Sequence, residues 1–132
     1  MARRILLTKP TLDAHDRGVR YLARRFRDAG FEVVFTNFLV ASEIATVAAQ
    51  EGVDAIGVSS SCGGHMAVFE ELMAALQSRG MQDVIVVGGG IIPPADAAAL
   101  RAMGVAQVFG PGDTADAAID LVTRRIGASS AE

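Results

Sequence analysis

Short apolar runs alternate with longer amphipathic stretches along this chain, and the alternation predicts five strands, each followed by a helix. The first run, Arg4–Lys9, is apolar at its centre in Ile5-Leu6-Leu7 and stops at Pro10, which has no N–H to give to a ladder. Four more follow at Glu32–Thr36, Ala55–Ser59, Asp83–Val87 and Gln107–Phe109. After them, apolar residues recur at helical spacing over Val19–Ala29, Ser42–Glu51, Ala67–Arg79, Ala95–Met103 and Thr114–Ile126. Gly30, Gly52, Gly80 and Gly104 stand just past the helix ends, where a C′ glycine is expected. Val84-Ile85-Val86-Val87 is apolar at every position, as in a strand covered on both faces. Strict alternation of this kind predicts a single α/β domain over residues 1–132. The expected architecture is a flavodoxin-like (Rossmann-like) doubly wound parallel sheet of five strands in the order 2-1-3-4-5. The small, polar residues 127–132 are expected to form a frayed tail.

In such a sheet, ligands bind outside the carboxyl ends of the strands where the winding reverses, here between strands 1 and 3. The unusual residues gather at that edge. Strand 1 runs into Asp13-Ala14-His15-Asp16-Arg17-Gly18, inside a connection longer than the roughly two to six residues usual between strand and helix. Strand 3 runs into Ser59-Ser60-Ser61-Cys62-Gly63-Gly64-His65, strand 4 into Gly88-Gly89-Gly90, and strand 5 into Gly110-Pro111-Gly112. Without Cβ atoms, these glycines let backbone approach a bulky ligand. His15 lies two residues after Asp13, so one ring nitrogen can bind a metal while the other donates to the carboxylate. Taken alone, the same residues also read as a solvated loop histidine beside a helix-capping Asp13 or Asp16.

Composition narrows the function classes. The chain has 132 residues, one domain's worth, and is 51% hydrophobic and 20% charged. A net charge of −3 offers no electrostatic support for nucleic-acid binding. No apolar run reaches the ~18 residues of a membrane span, and the first strand is too short for a signal-peptide core. The lone Cys62 excludes an internal disulfide and suits a reducing compartment, so the cytoplasm is the expected location. Cys62 and His65 invite a thiol–base reading, but the sequence offers no third group to orient the base, and Cys62 reads as a small apolar residue. Arg24, Arg25 and Arg27 read as the solvated face of the first helix, with Leu22 and Phe26 on its buried side.

Asp13-x-His15-x-x-Gly18, then Ser59-Ser60-Ser61, then Gly88-Gly89-Gly90, resembles the cobalamin-binding domain of adenosylcobalamin-dependent acyl-CoA mutases of the methylmalonyl-CoA mutase type. The resemblance runs from about Arg4 to Ile126. It implies a cobalamin whose benzimidazole tail leaves cobalt and is buried in the domain. His15 would then ligate cobalt, backed by Asp13, with Asp16, Arg17 and Gly18 completing that loop. Ser59 and Ser61 would line the tail pocket, Ser59 bonding the benzimidazole nitrogen, with Gly88 and Gly89 as its far wall and Gly110 and Gly112 closing it. Two positions depart from the family pattern: Ala14 replaces a glycine, and Ser61 replaces the leucine of Ser-x-Leu.

The resemblance implies a small subunit of an isomerase, inactive alone, that serves radical carbon-skeleton rearrangement of an acyl-CoA bound on a separate (β/α)8-barrel large subunit, in a heterotetramer. No nucleic-acid or membrane partner is implied. The alternatives are a corrinoid carrier for methyl transfer and a non-catalytic cobalamin-binding or sensor module. Methyl-transfer carriers usually have a helical cap before the domain, whereas strand 1 here is expected to start near the third residue. A phosphorylated receiver needs an aspartate at the end of strand 3, where this chain has Ser59 and Ser60.

Overall fold

The chain alternates strand and helix from β1 to α5 in a computed structural model that describes residues 3–11, 17–60, 64–110 and 112–130. The strands are β1 (Arg4–Pro10), β2 (Glu32–Phe38), β3 (Ala55–Ser60), β4 (Ile85–Gly90) and β5 (Gln107–Phe109). They form one parallel sheet in the order β2-β1-β3-β4-β5, as the sequence pattern predicts. The helices are α1 (Arg17–Asp28), α2 (Ser42–Glu51), α3 (His65–Ser78), α4 (Pro94–Ala102) and α5 (Ala115–Ser130).

Strand alternation divides the core into two layers. Leu6, Ile56, Val58 and Val86 point to one face and pack with Ile44 of α2, Phe69 and Leu72 of α3 and Leu100 of α4. Ile5, Leu7, Ala55 and Val87 point to the other and meet Val19 and Phe26 of α1 and Val122 of α5. Each large apolar side chain buried in this way contributes roughly 1.5–3 kcal/mol. The first face is covered by three helices and the second by two. The face with two helices has room left at its carboxyl end.

Gly52 shows how the helix stops work. It adopts φ 63° and ψ 46°, and its N–H reaches the carbonyl of Ala48. A side chain there would meet the αL penalty that glycine escapes.

Several boundaries differ from the pattern: β1, β2 and β3 extend to Pro10, Phe38 and Ser60, α1 begins at Arg17, and β4, α3 and α5 shift as well. β4 begins at Ile85 rather than Asp83 and continues through Gly88, Gly89 and Gly90, which the sequence places in a loop. Those glycines are held in the sheet from both sides: Ser59 pairs with Gly89 and Ser60 with Gly90, while Gly88 pairs with Val108. The neighbouring strands supply the order that glycine itself lacks. α3 begins at His65, two residues before the expected Ala67, and α5 runs to Ser130, past the expected stop at Ile126, so the tail is helical through residue 130.

Candidate functional site

Between α1 and α5, at the carboxyl ends of β1, β3, β4 and β5, lies a cleft of about 580 Å³. That volume falls within the range of small-molecule pockets. Its floor is open because Gly57 and Ser59 on β3 and Gly89 on β4 carry little or no side chain, while Leu7 and Val87 line it with apolar groups. A Cβ on Gly57 would stand 2.7 Å from Cδ2 of Leu7, while one on Gly89 would meet only the Phe109 carbonyl oxygen at 3.7 Å. Gly88 borders the cleft with its backbone, but its missing Cβ lies on the opposite face, 2.8 Å from Cζ of Phe69. Gly90 ends the floor at φ +116°, where a Cβ would fall 1.9 Å from the Ser60 carbonyl oxygen. Glycine is obligatory there.

The walls come from the starts of the two helices. Gly18, Tyr21 and Leu22 of α1 face Ala115 and Ala118 of α5 across the cleft. Arg25 donates to the Tyr21 hydroxyl at 3.0 Å and also pairs with Asp116, tying α1 to α5. The Tyr21 hydroxyl, followed by the Asp116 carboxylate, holds the Arg25 guanidinium above its ordinary pKa. The rim after β5 is fixed by a reciprocal turn. The Gly110 N–H donates to Oδ2 of Asp113 at 2.7 Å, and the Asp113 N–H donates back to the Gly110 carbonyl at 3.0 Å. Oγ1 of Thr114 then accepts from the Ala117 N–H at 3.1 Å, capping α5.

Of the residues expected from the sequence, Arg17, Gly18, Ser59, Gly88, Gly89 and Gly110 line this one cleft. Gly112 is exposed and does not, because the Gly110–Asp113 turn brings Asp113 and Thr114 to the rim instead. Asp13, His15, Asp16 and Ser61 lie outside the described residues. Among the described residues no cluster of three or more His, Cys, Asp or Glu side chains could hold a metal ion. The sequence reading missed Gly57, Tyr21, Phe109, Asp113 and Thr114. Gly57 was detectable, since a glycine inside an apolar strand often marks close approach of another group. Lys9 was also overlooked: it is buried at the end of β1, with Nζ donating to the Pro10 carbonyl at 3.3 Å.

His65 has an orienting carboxylate that the sequence did not reveal. Its Nε2 lies 2.8 Å from Oδ2 of Asp96 in the first turn of α4, and its ring is buried. Cys62 itself lies outside the described residues.

A flat, largely apolar group matches this cleft. Gly57 and Gly89 leave the floor open to a ring, Leu7, Leu22, Val87 and Phe109 give it apolar sides, and the Ser59 hydroxyl stands on the floor to meet a ring nitrogen. The benzimidazole tail of cobalamin has these properties, so the residues fit it.

Fold and cleft together define a flavodoxin-like α/β domain with an open cleft at the carboxyl edge of its sheet. The B12 binding domain model matches residues 3–120, and the chain belongs to that family. It is 40% identical over 129 residues to the 2-hydroxyisobutanoyl-CoA mutase small subunit of Aquincola tertiaricarbonis, covering 97% of this chain and 95% of that protein. It is 44% identical over 121 residues to the pivalyl-CoA mutase small subunit of Xanthobacter autotrophicus, covering 91% and 81%. Against the methylmalonyl-CoA mutase of Escherichia coli, identity is 43% over 110 residues, covering 83% of this chain but 15% of that enzyme. A cobalamin-binding protein from Desulfitobacterium hafniense DCB-2 superposes with a TM-score of 0.77 at 21% identity, over 94% of this chain and 59% of that one. A Francisella response-regulator receiver domain does so with 0.70 at 11%, over 96% and 98%. These last two likenesses speak to the fold alone.

Proposed function

We propose that this chain is the cobalamin-binding small subunit of an acyl-CoA mutase, an isomerase, and that its cofactor is adenosylcobalamin. The observation that carries the assignment is the cleft between α1 and α5. Six of the residues expected at the cobalamin site line it, in a chain that spans nearly the whole length of a mutase small subunit. When bound, the cofactor supplies a carbon-centred radical that initiates rearrangement of the substrate skeleton. The residues of this chain do the rest of their work by binding and orientation. Gly57 and Gly89 make room for the tail, and the Ser59 hydroxyl donates to its ring nitrogen. Gly18 lets the start of α1 lie close against it. His15 would ligate cobalt, and Asp13 would accept from the N–H of that imidazole and so set its tautomer. Arg17 and Gly110 frame the opening, and Asp16 would join His15 and Asp13 in holding the cofactor.

The acyl-CoA site belongs to a large (β/α)8-barrel subunit, joined with this one in a heterotetramer in the cytoplasm. The receiver-domain alternative is disfavoured because Ser59 and Ser60 occupy the end of β3, where phosphorylation would require a carboxylate. The test is reconstitution of the purified chain with adenosylcobalamin, followed by assay with candidate large subunits. Turnover only when both proteins and the cofactor are present is the expected result. In the Co(II) state, nitrogen-15 labelling of protein histidine should alter the cobalt hyperfine pattern. An unaltered pattern would show that the axial base belongs to the cofactor.

A further inference from the structure

The carboxyl ends of β3 and β4 form the cleft floor through Ser59, Gly89 and Gly90, and two bonds hold these ends together beyond the ladder. The first is backbone: the Ile91 N–H donates to the Ser60 carbonyl at 3.2 Å. The second joins the helices that follow. His65 is the first residue of α3, and its Nε2 meets Oδ2 of Asp96, in the first turn of α4, at 2.8 Å. A carboxylate can only accept, so Nε2 carries a proton and donates it, and Nδ1 must find a partner of its own. That Nδ1 is buried and has no partner among the described residues. A buried polar atom left unsatisfied calls for a reason, and an apolar residue would pack here without that loss. What an apolar residue could not do is fix the start of α3 to the start of α4.

We propose that the His65–Asp96 bond is a positioning device for the cofactor cleft: it sets the spacing of the β3 and β4 ends and so sets cofactor affinity. This rests on the cleft being the cobalamin tail site. His65 and Asp96 do not line the cleft, so their effect on binding passes through Ser59, Gly89 and Gly90.

The test is a double-mutant cycle on the full chain with His65→Ala, Asp96→Ala and the pair, with adenosylcobalamin as the probe, at a temperature where every variant is folded. Each single change should weaken binding about tenfold, and the double change should weaken it no further, since both remove one bond. His65→Gln, whose amide can still donate to Asp96, should recover most of the affinity. Falling thermal stability with unchanged affinity would overturn the proposal, as would additive losses. Should His65→Ala not fold, Asp96→Ala and His65→Gln decide the matter, because Asp96 is partly exposed. Absence of cobalamin binding by the unaltered chain would sink the cofactor assignment instead. Amide exchange of residues 64–66 and 90–92 then judges the device itself. Faster exchange there in Asp96→Ala, with β1 unchanged, supports it, and equal exchange overturns it.

Discussion

Gly89 is the residue at which fold and function separate most cleanly. An added side chain would find ordinary contact distance, 3.7 Å to the Phe109 carbonyl oxygen, so the sheet can accept one. Valine is favoured in strands and should leave the melting temperature unchanged or raise it. The same methyl groups would occupy the cleft floor. Gly89→Val is therefore expected to weaken cobalamin binding roughly tenfold to hundredfold, the scale of overpacking a closed site. A titration by absorbance beside a thermal melt reads both effects, and equal affinity would show that the tail lies elsewhere. Ser59→Ala removes one hydroxyl from the same floor and should cost about 0.5–1.5 kcal/mol of binding, the net worth of one hydrogen bond.

At the scale of elements, the link from β2 to α2 shows how one carboxylate shapes a connection. Oε1 of Glu43 accepts from the Leu39 and Val40 N–H groups, each at 2.8 Å, at the point where the chain turns from strand into helix. The Val40 N–H, then the Leu39 N–H, hold the Glu43 carboxyl below its ordinary value of 4.5. A depressed carboxyl pKa contributes stability that is present above the unfolded value and lost as pH falls through the folded one. Glu43→Gln should therefore lower stability at pH 7, and the difference from the unaltered chain should shrink as pH drops below about 4. Melts at pH 7 and pH 3 check this, with the Glu43 carboxyl midpoint followed by carbon-13 NMR. A difference of the same size at both values would exclude the charge as its source.

For the whole molecule, the cleft opens at one edge of the sheet, and on the proposed function the domain would hold the cofactor by its tail and leave its reactive face to be covered by a partner. Radical chemistry requires that face to be closed against water and side reactions. The large subunit should supply the cover, placing the cofactor between the two proteins. Linkage then demands that adenosylcobalamin tighten association of the subunits by the same factor by which the large subunit tightens cofactor binding. Sedimentation or calorimetry with and without cofactor measures the first quantity directly. Turnover by the isolated 132-residue chain, or equal association in both conditions, would refute this arrangement.

The strand order, the helix stops and the edge on which the cleft lies were all legible in the sequence, because each depends on local signals. Apolar runs mark strands, a C′ glycine such as Gly52 marks a helix end, and right-handed crossovers leave little freedom in how five such units wind. The family was legible for the same reason: the residues that carry the resemblance, Asp13, His15 and Gly18, are neighbours along the chain. What the tertiary structure decided is which glycines matter and why. Gly88, Gly89 and Gly90 look alike as a run, yet pleating turns Gly88 toward Phe69, Gly89 toward the cleft and Gly90 against Ser60. Gly57 joins the floor only because β3 lies between β1 and β4. His65 and Asp96, 31 residues apart, meet only because α3 and α4 pack side by side on one face. Contacts between distant segments follow from packing, and no local pattern along the chain records them.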